Sequence, residues 1–326
     1  MRAAPAVLFG AMAAAAVVTA SPCAWSQAWP SKPVRILLET APGSVFDTAL
    51  RAIMQQLGQQ LGQSFLVDNR PGANGVVAME ACAKAAPDGY TACDAATNSF
   101  SYNPHMFAKL SYDPDRDFKP VANLVITIDA LVVSSALSAR NLAELQALSA
   151  SRPGGLNFGT LGEGSNPDVF RQVLAEQWKT RLVGIPYKGG SNMTAVGLMS
   201  GEIDMSKGSL GSWMSGINGG KIRVVALGAS RRLSQFPDVP TFAEAGLPEA
   251  GRVFMGMVMP AGTPDAIVSR LNAEVAKALA EPKVREAIAG RYLEPDPMTV
   301  KEFTAFLKHD REENGKLIRK YNVPRQ

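Results

Sequence analysis

From Val34 onward, short β-rich runs alternate with amphipathic helical stretches, the βαβ signature of an α/β fold with mainly parallel sheets flanked by helices. The expected strands are Val34–Leu38, Phe65–Asp68, Tyr90–Cys93, Leu131–Ser134, Leu156–Gly159, Val183–Pro186, Ile203–Ser206, Ile222–Leu227 and Val253–Met259. Helices fill the gaps. The first is expected to start at Asp47, with Leu50, Ile53, Met54, Leu57 and Leu61 on one face and Gly62 as its stop. Another follows Thr263-Pro264 and carries Ile267, Leu271, Val275 and Leu279, and a long last helix spans roughly Val300 to Tyr321.

Composition narrows the class. Hydrophobic residues make up 46% of the 326 and charged residues 19%, enough for one large domain or two ordinary ones and too apolar for a disordered chain. Lysine and arginine exceed the acids by only 33 to 29, with no basic cluster longer than Arg231-Arg232, so no nucleic-acid face is expected. Mean hydropathy of zero and the lack of a long apolar span beyond the N-terminus argue against a multi-span membrane protein.

Residues 1–28 read as a secretory signal peptide: Arg2, an apolar stretch from Ala6 to Ala20, then small residues around Ser26-Gln27-Ala28. The apolar stretch is short for a span of about 20 residues, and Pro22 follows it. Pro22 also sits beside Cys23, against a lipoprotein reading. Cleavage after Ala28 leaves Cys82 and Cys93, either a disulfide of an exported protein or two buried thiols.

No Pro/Gly-rich linker divides the rest, so two lobes are expected with the boundary inside the alternating pattern. Crossings near Ile126–Leu131 and Gly251–Met255 make lobe 1 residues 29–128 and 252–326 and lobe 2 residues 129–251. In open parallel sheets ligands bind beyond the carboxyl ends of strands, where helix N-termini offer free N–H groups. Here those loops are small and hydroxyl-rich: Thr40 to Asp47, Thr97-Asn98-Ser99, Thr160 to Asn166, Lys188 to Asn192, and Lys207-Gly208-Ser209. Such a surface favours carboxylates or phosphates through many modest hydrogen bonds. The candidate ligand-binding residues are Thr40, Ser44, Val45, Phe46, Thr97, Asn98, Thr160, Gly162, Ser165, Lys207 and Ser209, with Glu39, Lys188, Gly189 and Trp213 as secondary candidates.

Six motifs carry a resemblance: Trp29-Pro30-Ser31-Lys32-Pro33-Val34-Arg35, Asp68-Asn69-Arg70-Pro71-Gly72-Ala73, Ala85-Ala86-Pro87-Asp88-Gly89-Tyr90-Thr91, Pro186-Tyr187-Lys188-Gly189, Pro237-Asp238-Val239-Pro240-Thr241 and Pro260-Ala261-Gly262-Thr263-Pro264. Together and in this order they resemble the substrate-binding family of the tripartite tricarboxylate transporters, the Bug proteins. The resemblance implies a periplasmic, two-lobed Venus-flytrap receptor of the type II class. It implies a small carboxylate held between the lobes by backbone amides, hydroxyls and waters, with no cofactor. It also implies delivery to a permease of two membrane subunits, or signalling through a sensor kinase where no permease accompanies the receptor; a monomer is expected.

Departures from the family pattern bear on the ligand. Glu39-Thr40 stand where the family has a proline and an aromatic residue, Ser44 replaces a glycine, and Lys207-Gly208 replace a phenylalanine and an aspartate. Lys207 is expected to face the cleft, either pairing with Glu39 or meeting a second acid on the ligand, which favours a di-acid over an amino acid, or else to lie solvated at the rim. Asp47 reads as a helix cap, and Phe46 and Trp213 either stack on a ligand or pack beneath their loops. An enzyme is not expected: no nucleophile elbow, phosphate-binding loop or paired Cys-x-x-Cys occurs, and the two histidines, His105 and His309, are isolated. They also give a metal site little support.

Overall fold

The computed structural model describes residues 29–187, 191–247, 253–323 and 325. The expected signal peptide, Lys188, Gly189 and most of the expected return crossing before Val253 lie outside the described residues.

The chain runs β1 (Val34–Leu38), α1 (Val45–Leu61), β2 (Phe65–Asn69), α2 (Val76–Ala83), β3 (Thr91–Ala96), a π-helical turn (Asn98–Tyr102), α3 (Asn103–Met106) and β4 (Phe118–Thr127). A second series follows: β5 (Asp129–Ser134), α4 (Leu142–Ser151), β6 (Leu156–Thr160), α5 (Asn166–Trp178), β7 (Leu182–Pro186), α6 (Ser191–Ser200), β8 (Met205–Ser209), α7 (Leu210–Asn218) and β9 (Ile222–Gly228). The chain closes with β10 (Phe254–Pro260), α8 (Asp265–Ala280), α9 (Pro282–Ala289), β11 (Leu293–Pro295) and α10 (Val300–Lys320).

Two sheets result, ordered β11-β4-β10-β3-β1-β2 and β7-β6-β8-β5-β9. Parallel pairing holds within β2-β1-β3 and β7-β6-β8. The strands next to the crossings, β4, β5 and β10, pair antiparallel, so each sheet is mixed. The two orders correspond: three parallel strands, then the strand that arrives from the other lobe, then a fifth, with β11 as a sixth in the first sheet. This is the two-lobed, type II arrangement that the resemblance implies.

Period-two patterning builds the core on both faces of each sheet. Val34, Ile36 and Leu38 face α1 and α8, while Leu37 faces the opposite cluster around Phe254 and Phe303. In the second sheet Leu131 and Val133 face Phe158 and Phe170, and Ala130 and Val132 face Trp213. Gly256 in β10 is required by packing: a Cβ there would lie 2.2 Å from the Phe303 ring.

Several local expectations are corrected. Helix α1 starts at Val45 with Ser44 as its cap, because the Ser44 hydroxyl accepts the Asp47 N–H (3.1 Å). Asp47 sits one turn in and reaches back to the Gly43 N–H (2.9 Å). Strand β8 lies two residues later than expected, since Asp204 is spent on a turn that takes the Asn157 N–H (2.8 Å). Strands β4 and β11 were not anticipated. A disulfide joins Cys82 of α2 to Cys93 of β3, with the Cα atoms 6.2 Å apart.

One residue, Ile128, links the first sheet to the second. Its N–H donates to the Tyr292 carbonyl (3.0 Å) and its carbonyl accepts from the Leu210 N–H at the start of α7 (2.8 Å). Helix α10 packs on the π-helical turn of lobe 1, and the residues after it turn onto lobe 2. At that end Lys320, the last residue of α10, and Tyr321 hold Glu176 of α5, and Val323 packs against Gly164, whose φ of +72° no side chain would share cheaply.

Candidate ligand-binding cleft

Two adjoining cavities open between the sheets, of about 350 Å³ and about 170 Å³. They share Phe46, Leu161, Asn166 and Val253 as walls and therefore form one cleft. Its lining comes from the carboxyl ends of β1, β3, β6 and β8, where parallel strands deliver their loops.

The larger chamber takes Glu39, Thr40, Thr97 and Asn98 from lobe 1 and Glu163, Ser165 and Asn166 from lobe 2. The smaller chamber is formed mainly by lobe 2, with Lys207, Ser209 and Trp213 on its walls. Thus Thr40, Phe46, Thr97, Asn98, Ser165, Lys207, Ser209, Glu39 and Trp213 are brought together.

The remaining candidates have other tasks. Ser44 caps α1, and its hydroxyl donates to Thr40 Oγ1 (2.9 Å). Val45 packs half-buried on the first core. Thr160 lines a neighbouring depression with Asp168 and Arg171, and Gly162 offers its carbonyl to the Ser165 hydroxyl (2.6 Å). Even within the cleft, Thr97 is committed to structure, since its Oγ1 accepts the Phe254 N–H (3.0 Å). Trp213 is 1% exposed and donates to the Gly208 carbonyl (3.3 Å), the posture of a residue packed beneath its loop.

Lys207 is neither solvated at a rim nor paired with Glu39. Its ammonium is buried, forms an ion pair with Asp129, and donates to Asn166 Oδ1 (2.6 Å). Asn166 in turn donates to the Tyr102 hydroxyl of lobe 1 (3.2 Å), so a chain of polar contacts joins the lobes through the floor of the cleft. Ser209 begins α7 without capping it, and its hydroxyl is buried with no hydrogen-bond partner among the described residues.

At the lobe 1 end, Glu39 is 9% exposed and its Oε2 is unpartnered. Burial pushes its carboxyl up to about 7, against a smaller downward pull from the Ser99 hydroxyl. Asp94, one strand away on β3, is driven well above the carboxylate range by burial and then by Glu39. Asp47 goes the other way: partial burial raises it, but Arg51, the Gly43 N–H and Asn69 outweigh that and hold it low. Among the described residues no group of three or more His, Cys, Asp or Glu is placed to hold a metal.

The residues that sequence reasoning missed are Asp129, Asn166, Asn74 and Asn103. Asn166 opens α5 in a loop already recognised as polar; Asp129 had no signal, because its role follows from strand pairing.

The sequence profile described as "Tripartite tricarboxylate transporter family receptor" matches residues 49–323, most of the chain. This chain belongs to that family. Among curated relatives it is 33% identical over 307 residues to a UPF0065 protein of Bordetella bronchiseptica, covering 93% of this chain and 89% of that one. It is 29% identical over 281 residues to "Protein BugT" of Bordetella pertussis, with 86% of each covered. Of solved structures, one described as a periplasmic transporter aligns at TM-score 0.77 and 31% identity, covering 91% of this chain and 99% of that one. An R. palustris protein solved with adipate aligns at 0.78 and 26%, covering 91% and 100%. MatC from Rhodopseudomonas palustris with bound malate aligns at 0.72 and 28%, covering 89% and 100%. The tripartite tricarboxylate transporter receptor family is one of solute receptors, not enzymes, and this member is a solute-binding protein.

Proposed function

We propose that this receptor is exported by its N-terminal signal, works in the periplasm, and captures a small carboxylate for delivery to a tripartite tricarboxylate transporter permease. The observation that carries the reading is the cleft between the two sheets, where polar groups from both lobes gather at strand carboxyl ends. The relatives solved with adipate and malate support it. Lobe 1 (29–128 and 252–326) and lobe 2 (129–251) each supply part of the shell. Ligand contacts to both sides therefore favour the closed arrangement, a population shift driven by differential affinity. The carboxylate sits in the smaller chamber against Ser209, whose unpartnered hydroxyl can donate to it at the N-terminal end of α7.

The test is a thermal-shift screen of the purified protein, stripped of carried-over ligand, against carboxylates, sugars and metal ions. Binding to the native state at one hundred times Kd stabilises by about 2.7 kcal/mol and raises the melting temperature. A saturable shift with a carboxylate class supports the proposal. A shift with a sugar alone overturns it.

A further inference from the structure

The two ends of the cleft differ in what they leave unsatisfied. At the lobe 1 end the unpartnered groups are acceptors: Glu39 Oε2 and Asn103 Oδ1, on two residues that line the larger chamber, with both carboxyl oxygens of Asp94 unpartnered behind them. Buried acceptors without donors are costly, and a retained proton, a water or a donor brought in from outside relieves them. Charge points the same way. Among the described lining residues the acids are Glu39, Glu163 and Asp129, while the base is Lys207, which Asp129 already neutralises. Above pH 7, where the Glu39 carboxyl has lost its proton, a di-acid would place its second carboxylate against the negative charge of Glu39 and the acceptor of Asn103.

We propose that the cleft is dipolar and selects a ligand with a carboxylate at one end and an ammonium or comparable donor group at the other, Glu39 being the residue that receives the donor. The inference rests on the carboxylate reading above and deepens it: Glu39 is the specificity determinant of that same site. Lys207, held by Asp129 and Asn166, does not select a di-acid.

Calorimetric titration at pH 8 tests this with two matched series of four- to six-carbon chains, ω-amino carboxylates and dicarboxylates, plus alkylamines as controls. The expected result is that 5-aminopentanoate, or its best homologue, binds at least tenfold tighter than the dicarboxylate with the same number of methylenes. Glu39→Gln, which keeps shape and removes charge, should reduce that preference to less than threefold with the fold intact by melting; Glu39→Met serves as a second variant. Equal or tighter binding of the dicarboxylate, or a preference that survives in both variants, overturns the proposal while leaving the carboxylate receptor standing. If alkylamines bind as tightly as amino carboxylates, the receptor reading fails and the role of Glu39 stands. If neither series binds, both fall.

Discussion

Lys207 of β8 and Asp129 of β5 form a buried ion pair diagonally across two antiparallel strands, their side chains 1% and 7% exposed. Breaking one side of such a pair strands a charge in a dry site, whereas replacing both sides with apolar groups does not. Asp129→Asn is therefore expected to cost roughly 3–5 kcal/mol. The double change Asp129→Leu with Lys207→Met should recover most of that loss. Urea unfolding of the three proteins checks it; a single-variant loss below about 1 kcal/mol would show that water reaches the pair.

Stability should depend on pH through Glu39. Its carboxyl titrates at about 7 in the folded protein and near 4.5 when exposed, so between those values the folded state holds the extra proton. The resulting stability is complete below pH 4.5 and is lost as pH rises to 7, about 3 kcal/mol in all. Asp94, facing Glu39 from β3, shifts in the same direction and adds to the effect; Tyr112, Ser99 and Asn103 complete the surroundings. Glu39→Gln should flatten the dependence, so that its gain over the parent protein is larger at pH 8 than at pH 5. Parallel urea melts at the two pH values measure this.

Removing the Cys82–Cys93 disulfide should destabilise by about 3 kcal/mol, the loop-closure value for residues 11 apart in sequence. Differential scanning calorimetry of the Cys82→Ser, Cys93→Ser double variant is the measurement. An unchanged melting temperature, with or without reductant, would mean that the bond contributes nothing in solution.

Closure should be tuned from the C-terminus. Val323 packs against Gly164 on lobe 2 and is 8% exposed, so Val323→Ala combined with Tyr321→Phe removes a packing contact and a hydrogen bond that tie the C-terminal segment to lobe 2. Losing about 1.5 kcal/mol of apolar burial should weaken ligand binding about tenfold. Small-angle scattering of the free variant should show a larger radius of gyration.

Much of the architecture was readable because buried parallel strands are short apolar runs, and Val34–Leu38 and the helix stripe through Leu271 and Val275 fall where periodicity places them. Strand β4 was not, since Lys119, Pro120 and Asn123 interrupt its pattern. Each has a tertiary answer: Lys119 reaches the Thr263 carbonyl (2.8 Å), Asn123 holds Asp296 (3.0 Å), and Pro120 sits where the pairing with β10 slips register, beyond the reach of β11. The cleft was legible as a set of hydroxyl-rich loops. Its charge balance was not, because the partner of Lys207 and the acid behind Glu39 lie on neighbouring strands far away in sequence.

In the first sheet, β10 lies between β3 and β4. A chain made from its N-terminus has every strand of the second sheet once residue 228 is available. The first sheet then still has a gap one strand wide, which residues 254–260 fill. The lobe that is synthesised first is thus the last to be completed. Until then β3 and β4 present open edges, the surfaces most prone to pairing with another chain. The export proposed above, if it takes place in an unfolded state, delivers all these strands before either lobe must commit and so removes that interval.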